Sequence, residues 1–144
     1  MGEGPDFWGG YGASADDLGA FLTALAPYAD DYKTYIDDAV ELLEKNVSDA
    51  GYTSWGSANA DSTAMALMAY SALDDQEKAD KAYDLLCKFE SKTTGVFTYD
   101  GEENLLATKD ALTALGYYTD HLIVRIVIDP EDPTEPTTKK NAEK

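Results

Sequence analysis

The sequence holds a single cysteine, Cys87, and a single histidine, His121. One thiol cannot close a disulfide within the chain, and no CxxC-type spacing offers a metal its ligands. Bases are scarce too: 11 Lys and Arg stand against 28 Asp and Glu, a net charge of −17. A surface this acidic repels phosphate backbones and anionic lipids, which argues against nucleic-acid or membrane-surface partners and leaves cationic ones open. No apolar run approaches the roughly 20 residues of a membrane span, so membrane insertion is not expected. The opening MGEGPDFW lacks the apolar centre of a signal peptide and reads as the start of an excerpt from a longer protein.

What is present suits folding. A chain of 144 residues fits one domain, and a globule of that length buries about 70% of its unfolded surface. With 44% hydrophobic residues and 10 tyrosines, the acidic charge belongs on a solvated surface and does not signal disorder.

Residues 2–13, GEGPDFWGGYGA, read as a glycine-rich loop bearing Phe7, Trp8 and Tyr11. Ser14 caps a first helix over 14–28, with Asp16 and Asp17 in its first turn and Leu18, Phe21, Leu22 and Leu25 at helical spacing before Pro27. A second helix carries Tyr32, Tyr35, Ile36, Ala39, Leu43 and Val47 on one stripe and acids between them, and Gly51 is read as its end. Tyr52, Ser54 and Trp55 make a second aromatic loop. Asn59 to Leu73 is apolar or small nearly all round, which predicts a helix buried on every side. Residues 76–91 form an amphipathic fourth helix, on whose buried face Cys87 reads as a small apolar residue. A third aromatic loop with Phe97 and Tyr99 then leads to Asn104 and a fifth helix over 104–118.

These segments repeat. Leu22, Leu67 and Leu112 lie 45 residues apart, as do Ala24, Ala69 and Ala114, and Ser14, Asn59 and Asn104 open the three copies. Helices of the buried type alternate with amphipathic ones, which predicts an inner layer of helices one, three and five under an outer layer of two and four. After His121 the run LIVRIVID is β-branched and is expected to be extended. Residues 129–144, DPEDPTEPTTKKNAEK, have the proline spacing and polarity of a disordered linker. The expected organisation is a repeat domain over 1–121 and an extended segment plus linker over 122–144.

The stretches ADDLGAFLTALAPY (15–28), GYTSWGSAN (51–59), DSTAMALMAYSAL (61–73) and NLLATKDALTALGYY (104–118) resemble the prenyltransferase and squalene-cyclase type repeats of the terpenoid cyclase-like superfamily. That resemblance implies the α/α toroid also seen in transcobalamin and intrinsic factor. It is nearest to versions in secreted or wall-anchored proteins of Gram-positive gut bacteria. The expected fold is therefore all-α: a partial α/α toroid of five helices, in hairpin repeats of about 45 residues, forming the C-terminal part of a larger ring.

The resemblance also supplies candidate chemistry. Cyclases of the superfamily carry an Asp-x-Asp-Asp-Thr-Ala motif whose middle aspartate donates a proton, and Asn59-Ala60-Asp61-Ser62-Thr63-Ala64 lies on that pattern with Asp61 in the donor's place. Asn59 and Ser62 replace the flanking acids. With uncharged sequence neighbours at a helix start, Asp61 is expected to stay ionised and to serve as a helix-start residue, which makes it a weak catalytic candidate. The protein prenyltransferases' Asp, Cys and His zinc site has no counterpart here, since Cys87 falls on an outer helix and His121 past the last one; no metal or cofactor is expected. Ligand-binding candidates are Trp8, Tyr11, Trp55, Asn59, Asp61, Tyr99 and Asn104, at the loops and starts of the inner helices. The expected role is a non-catalytic binding or spacer module of an extracellular or cell-wall protein, taking an unidentified small molecule or protein. The alternatives are a cobalamin-like or isoprenoid binder and a divergent cyclase or prenyltransferase. Inner-helix surface left bare by the missing part of the ring would promote self-association.

Overall fold

The computed structural model describes residues 13–128, with side chains as far as residue 120. Trp8, Tyr11 and the linker over 129–144 lie outside the described residues. The fold is mostly helical with a small amount of sheet. Its helices are α1 (Ala15–Leu25), α2 (Lys33–Lys45), α3 (Ala60–Ala72), α4 (Gln76–Leu86) and α5 (Leu105–Ile128).

Each start has a local cause. Ser14 Oγ accepts from the Asp17 N–H at 3.2 Å while the Asp17 carboxylate accepts from the Ser14 N–H, a reciprocal cap worth about 1 kcal/mol. Asp75 caps α4 through the Lys78 N–H. α1 ends by tightening into a single 3-10 turn over Ala26–Tyr28, where Pro27 sits.

α3 lies between α1 and α5 and carries α4 on a third side, while α2 packs on α1. The inner helices run alike. Gly19, in the second turn of α1, meets Met65, in the second turn of α3, and the Asp61 carboxyl at the start of α3 feels both Asp16 at the start of α1 and Asp110 early in α5. α1, α3 and α5 thus stand in a row with α2 on α1 and α4 on α3, but full burial does not extend to all three of the row. α3 buries nine residues, whereas α1 buries Ala15, Leu18, Gly19 and Leu22. On the side-chain-described part of α5 only Ala107, Ala111 and Ala114 are buried. A helix in the middle of a row is covered on both sides and a helix at either end on one.

The loops expected before the inner helices contain β-hairpins. β1 (Val47–Ser48), β2 (Gly51–Ser54) and β3 (Ser57–Ala58) form a three-stranded antiparallel sheet pairing Val47 with Tyr52 and Thr53 with Ala58; β4 (Thr98–Tyr99) and β5 (Glu102–Glu103) pair Thr98 with Glu103. Gly51 thus opens β2 rather than closing the second helix. Its φ is +142°, and a Cβ there would lie 2.8 Å from Thr63 Oγ1 and 2.9 Å from the Phe89 ring.

Three further expectations change. Residues 122–128 are helical, not extended, and His121 lies inside α5. Helix propagation from an established turn is cheap, and β-branched residues cost only a few tenths of a kcal/mol each against better helix formers. No proline intervenes before Pro130. Cys87 is exposed: α4 ends at Leu86, and the 3-10 turn over Cys87–Phe89 turns the thiol off the face that buries Ala79, Ala82 and Leu86. Glu44, read as one of the wet acids of α2, instead joins four elements. Its Oε1 accepts from the hydroxyls of buried Tyr52 at 2.8 Å and Tyr70 at 2.6 Å, and its Oε2 lies 3.5 Å from Lys81 Nζ.

The tightest helix contact supplies a test. A Cβ on Gly19 would sit 2.7 Å from both the Cβ and the carbonyl oxygen of Met65, so the helices would have to separate. Alanine gains about 1 kcal/mol of helix propensity over glycine, against an overpacking cost of about 1–3 kcal/mol, more when backbone is struck. Gly19→Ala is expected to lower stability by about 1–2 kcal/mol in urea unfolding; a stabilised variant would mean that the two helices are not in contact there.

Candidate functional site

The hairpins and the inner-helix starts meet at one end of the molecule, and the repeat is kept there bond for bond. Asn59 Oδ1 accepts from the Ser62 N–H at 2.8 Å, and Asn104 Oδ1 from the Ala107 N–H at 3.0 Å. One turn into each helix a threonine ties the preceding strand to it. Thr63 Oγ1 donates to the Asn59 carbonyl and accepts from the Tyr52 N–H at 3.0 Å; Thr108 Oγ1 does the same with Asn104 and the Phe97 N–H, also at 3.0 Å. Asn59 and Asn104 thus spend their carbonyl oxygens on capping.

The hairpin tips match as well. Trp55–Gly56 and Asp100–Gly101 occupy the same turn, all with positive φ: 57° and 89° in the first, 51° and 83° in the second. Asp-Gly is among the residue pairs such two-residue turns favour, whereas a bulky aromatic in the left-handed region is strained. Trp55 is nonetheless there, and it is 92% exposed. Tyr99, one residue before the other tip, is exposed at 40%.

Asp61 sits at the same end, in the first turn of α3. Burial raises its carboxyl above the usual range, and the facing Asp110 raises it further, both by its charge and because a hydrogen bond between the two carboxyls requires a proton; Asp16 adds to the effect and Lys109 opposes it. Lys109 is ion-paired with Asp110. The Oδ1 atoms of Asp61 and Asp16 are buried and have no hydrogen-bond partner. The expectation that Asp61 stays ionised rested on its sequence neighbours; its neighbours in space are acids from two other helices, which sequence spacing did not reveal. The signal that would have exposed Asp110 is the repeat itself: Gly19 meets Met65 one step earlier, and the same step carries Ala64, a turn from Asp61, to Asp110.

Among the described residues, no group of three or more His, Cys, Asp or Glu side chains is arranged to hold a metal ion. An open groove of about 650 Å³ is lined by Cys87, Lys88, Glu90, Ser91, Lys92, Thr93 and Gly95, none of them a predicted site residue. The chain has no significant match among models of known protein families, curated proteins or solved structures.

Two measurements follow. Thr63→Val keeps shape but leaves the Tyr52 N–H buried without an acceptor, and a loss of about 1–3 kcal/mol is expected in denaturant unfolding; an unaffected variant would remove the threonine tie. For Asp61, a carboxyl whose folded pKa is raised disfavours the folded state once ionised, and this penalty is absent below its unfolded pKa. Asp61→Asn is therefore expected to raise the thermal midpoint at neutral pH, with the gain shrinking to nothing as pH falls below about 4. A variant less stable than wild type at neutral pH would contradict the raised carboxyl.

Proposed function

We propose that the chain is a non-catalytic helical-repeat module that binds a ligand at its hairpin end. The observation that carries this reading is Trp55. An indole held 92% exposed at a φ of 57°, where the repeat partner is the turn-forming Asp100, contributes nothing to packing and strains the turn, and such outliers cluster where a side chain is presented to a partner. Tyr99 at the neighbouring hairpin adds a second aromatic surface, and the net charge of −17 favours a ligand that carries positive charge. The resemblance to the α/α toroid repeats supports reading the row of helices as part of a ring of inner and outer helices. Its versions in surface proteins of Gram-positive bacteria support a location outside the cell. Among the described residues no helix is long and apolar enough to cross a membrane.

One observation favours a second reading, a divergent isoprenoid cyclase with Asp61 as its acid. The burial and neighbouring acids that raise that carboxyl above its usual range, together with its unpartnered Oδ1, suit a proton donor. Incubation with polyprenyl substrates tests it: turnover that Asp61→Asn abolishes would install the cyclase reading, and the absence of turnover by the wild type would remove it.

The binding reading is tested by Trp55→Asn, which puts a residue suited to the left-handed region in the strained position. Stability is expected to rise by a few tenths to about 1 kcal/mol, while affinity for a binder drawn from panels of basic peptides and glycans falls at least about tenfold. A destabilised variant with unchanged binding would make Trp55 a structural residue and end the proposal.

A further inference from the structure

The repeat gives every inner helix two faces, and their burial shifts step by step along the row. On the first face, Ala15, Leu18 and Leu22 of α1 are buried, and so are their equivalents Ala60, Thr63 and Leu67 on α3. The next equivalents on α5 include Leu105 and Leu112, which are 85% and 61% exposed. On the second face the order reverses. Ala107, Ala111 and Ala114 of α5 are buried, as are Ser62, Ala66 and Ala69 of α3, whereas their equivalents on α1 are exposed Asp17, half-buried Phe21 and exposed Ala24. One end of the row thus shows leucines where the other members bury their side chains, and the opposite end shows exposed Ala20 and Ala24 on the side that α3 and α5 keep covered.

We infer that the bare face of α5 docks on the side of α1 that carries exposed Ala20 and Ala24 in a second copy of this chain, repeating between molecules the contact made twice within one. The interface continues an existing one. Within the chain, Gly19 of α1 meets Met65 of α3, and Asp61 of α3 faces Asp110 of α5; one more step sets Leu106, itself 59% exposed, against exposed Ala20 of the next molecule. Sizes agree, since the leucine side chain meets an alanine. Charge agrees locally too: exposed Lys109 on α5 falls opposite Ala20, one turn from exposed Asp17. The contact is head-to-tail, so it propagates unless the rotation closes a ring. It opposes the overall charge of −17 per chain, so salt strengthens it by screening. The inference depends on burial and register alone and stands whether or not Trp55 binds a ligand.

Sedimentation equilibrium of the full chain at high salt tests it. The wild type is expected to exceed monomer mass as concentration rises, and to do so less readily in low salt. Leu112→Glu and Ala24→Glu, at exposed positions on opposite ends, are each expected to be monomeric with wild-type circular dichroism. An equimolar mixture of the two retains one intact face of each kind and is expected to form dimers and nothing larger. Leu105→Glu replaces Leu112→Glu should that variant not fold. A wild type that stays monomeric at millimolar concentration in high salt would overturn the inference. So would an Ala24→Glu variant that associates as strongly as wild type, because α5 faces would then be pairing with each other, or a mixture that stays monomeric.

Discussion

Close contact between helices with little side chain between them sets the geometry of this molecule. At Gly19 the backbone of α3 comes so near α1 that a single methyl group would not fit. On its opposite side α3 is met by the alanines of α5, where Ala107, Ala111 and Ala114 are fully buried. Packing this close maximises dispersion contact per residue and leaves no slack for the row to slide. The large side chains do their work elsewhere. Tyr52 and Tyr70 fill the space between the layers, and their hydroxyls converge on Glu44 from α2, whose carboxyl burial pushes up while hydrogen bonds from Tyr70 and Tyr52 and the charge of Lys81 bring it to a net position below the ordinary range.

α3 and α5 are each held in register with the strand before them by the same pair of side chains, an asparagine cap and a threonine one turn later. The hydroxyl of that threonine satisfies a strand N–H that the short hairpin leaves without a backbone partner, which resolves the accounting problem of burying a loop. Because the arrangement recurs at Asn59–Thr63 and Asn104–Thr108, the end of the molecule that carries the candidate site is built from structural parts that are already committed. Residues free of such duty stand out against them: Trp55 at a strained turn, and Asp61 with a buried oxygen that accepts nothing.

Much of this was legible in the chain. The 45-residue spacing of Leu22 and Leu67 and the all-round apolar character of Asn59 to Leu73 pointed to a middle helix covered on every side, and α3 is one. The hairpins were harder to see because strands of two to four residues show no alternation; Asp100-Gly101 was the local signal for the second, and the repeat would have carried it to Trp55-Gly56. Periodicity reports which face is apolar but not whether anything covers it, which is why Leu112 matched Leu67 in sequence and differs from it in exposure. The helical course of 122–128 escaped a propensity reading because a helix already running overrides the weak preference of valine and isoleucine for strands. The acids around Asp61 come from helices 45 residues or more away in sequence, so its environment was legible only through the repeat.

The central claim is that the inner helices stand in a row with α3 in the middle. It is tested most directly by double electron–electron resonance between spin labels at Ala20→Cys on α1 and Lys109→Cys on α5, with exposed Cys87 changed to serine and the labelled protein diluted into unlabelled chain. The row predicts a narrow distribution at or beyond two helix spacings, about 16–20 Å between axes. A narrow distribution at a single spacing of about 8–10 Å would place α1 directly against α5 and contradict the account.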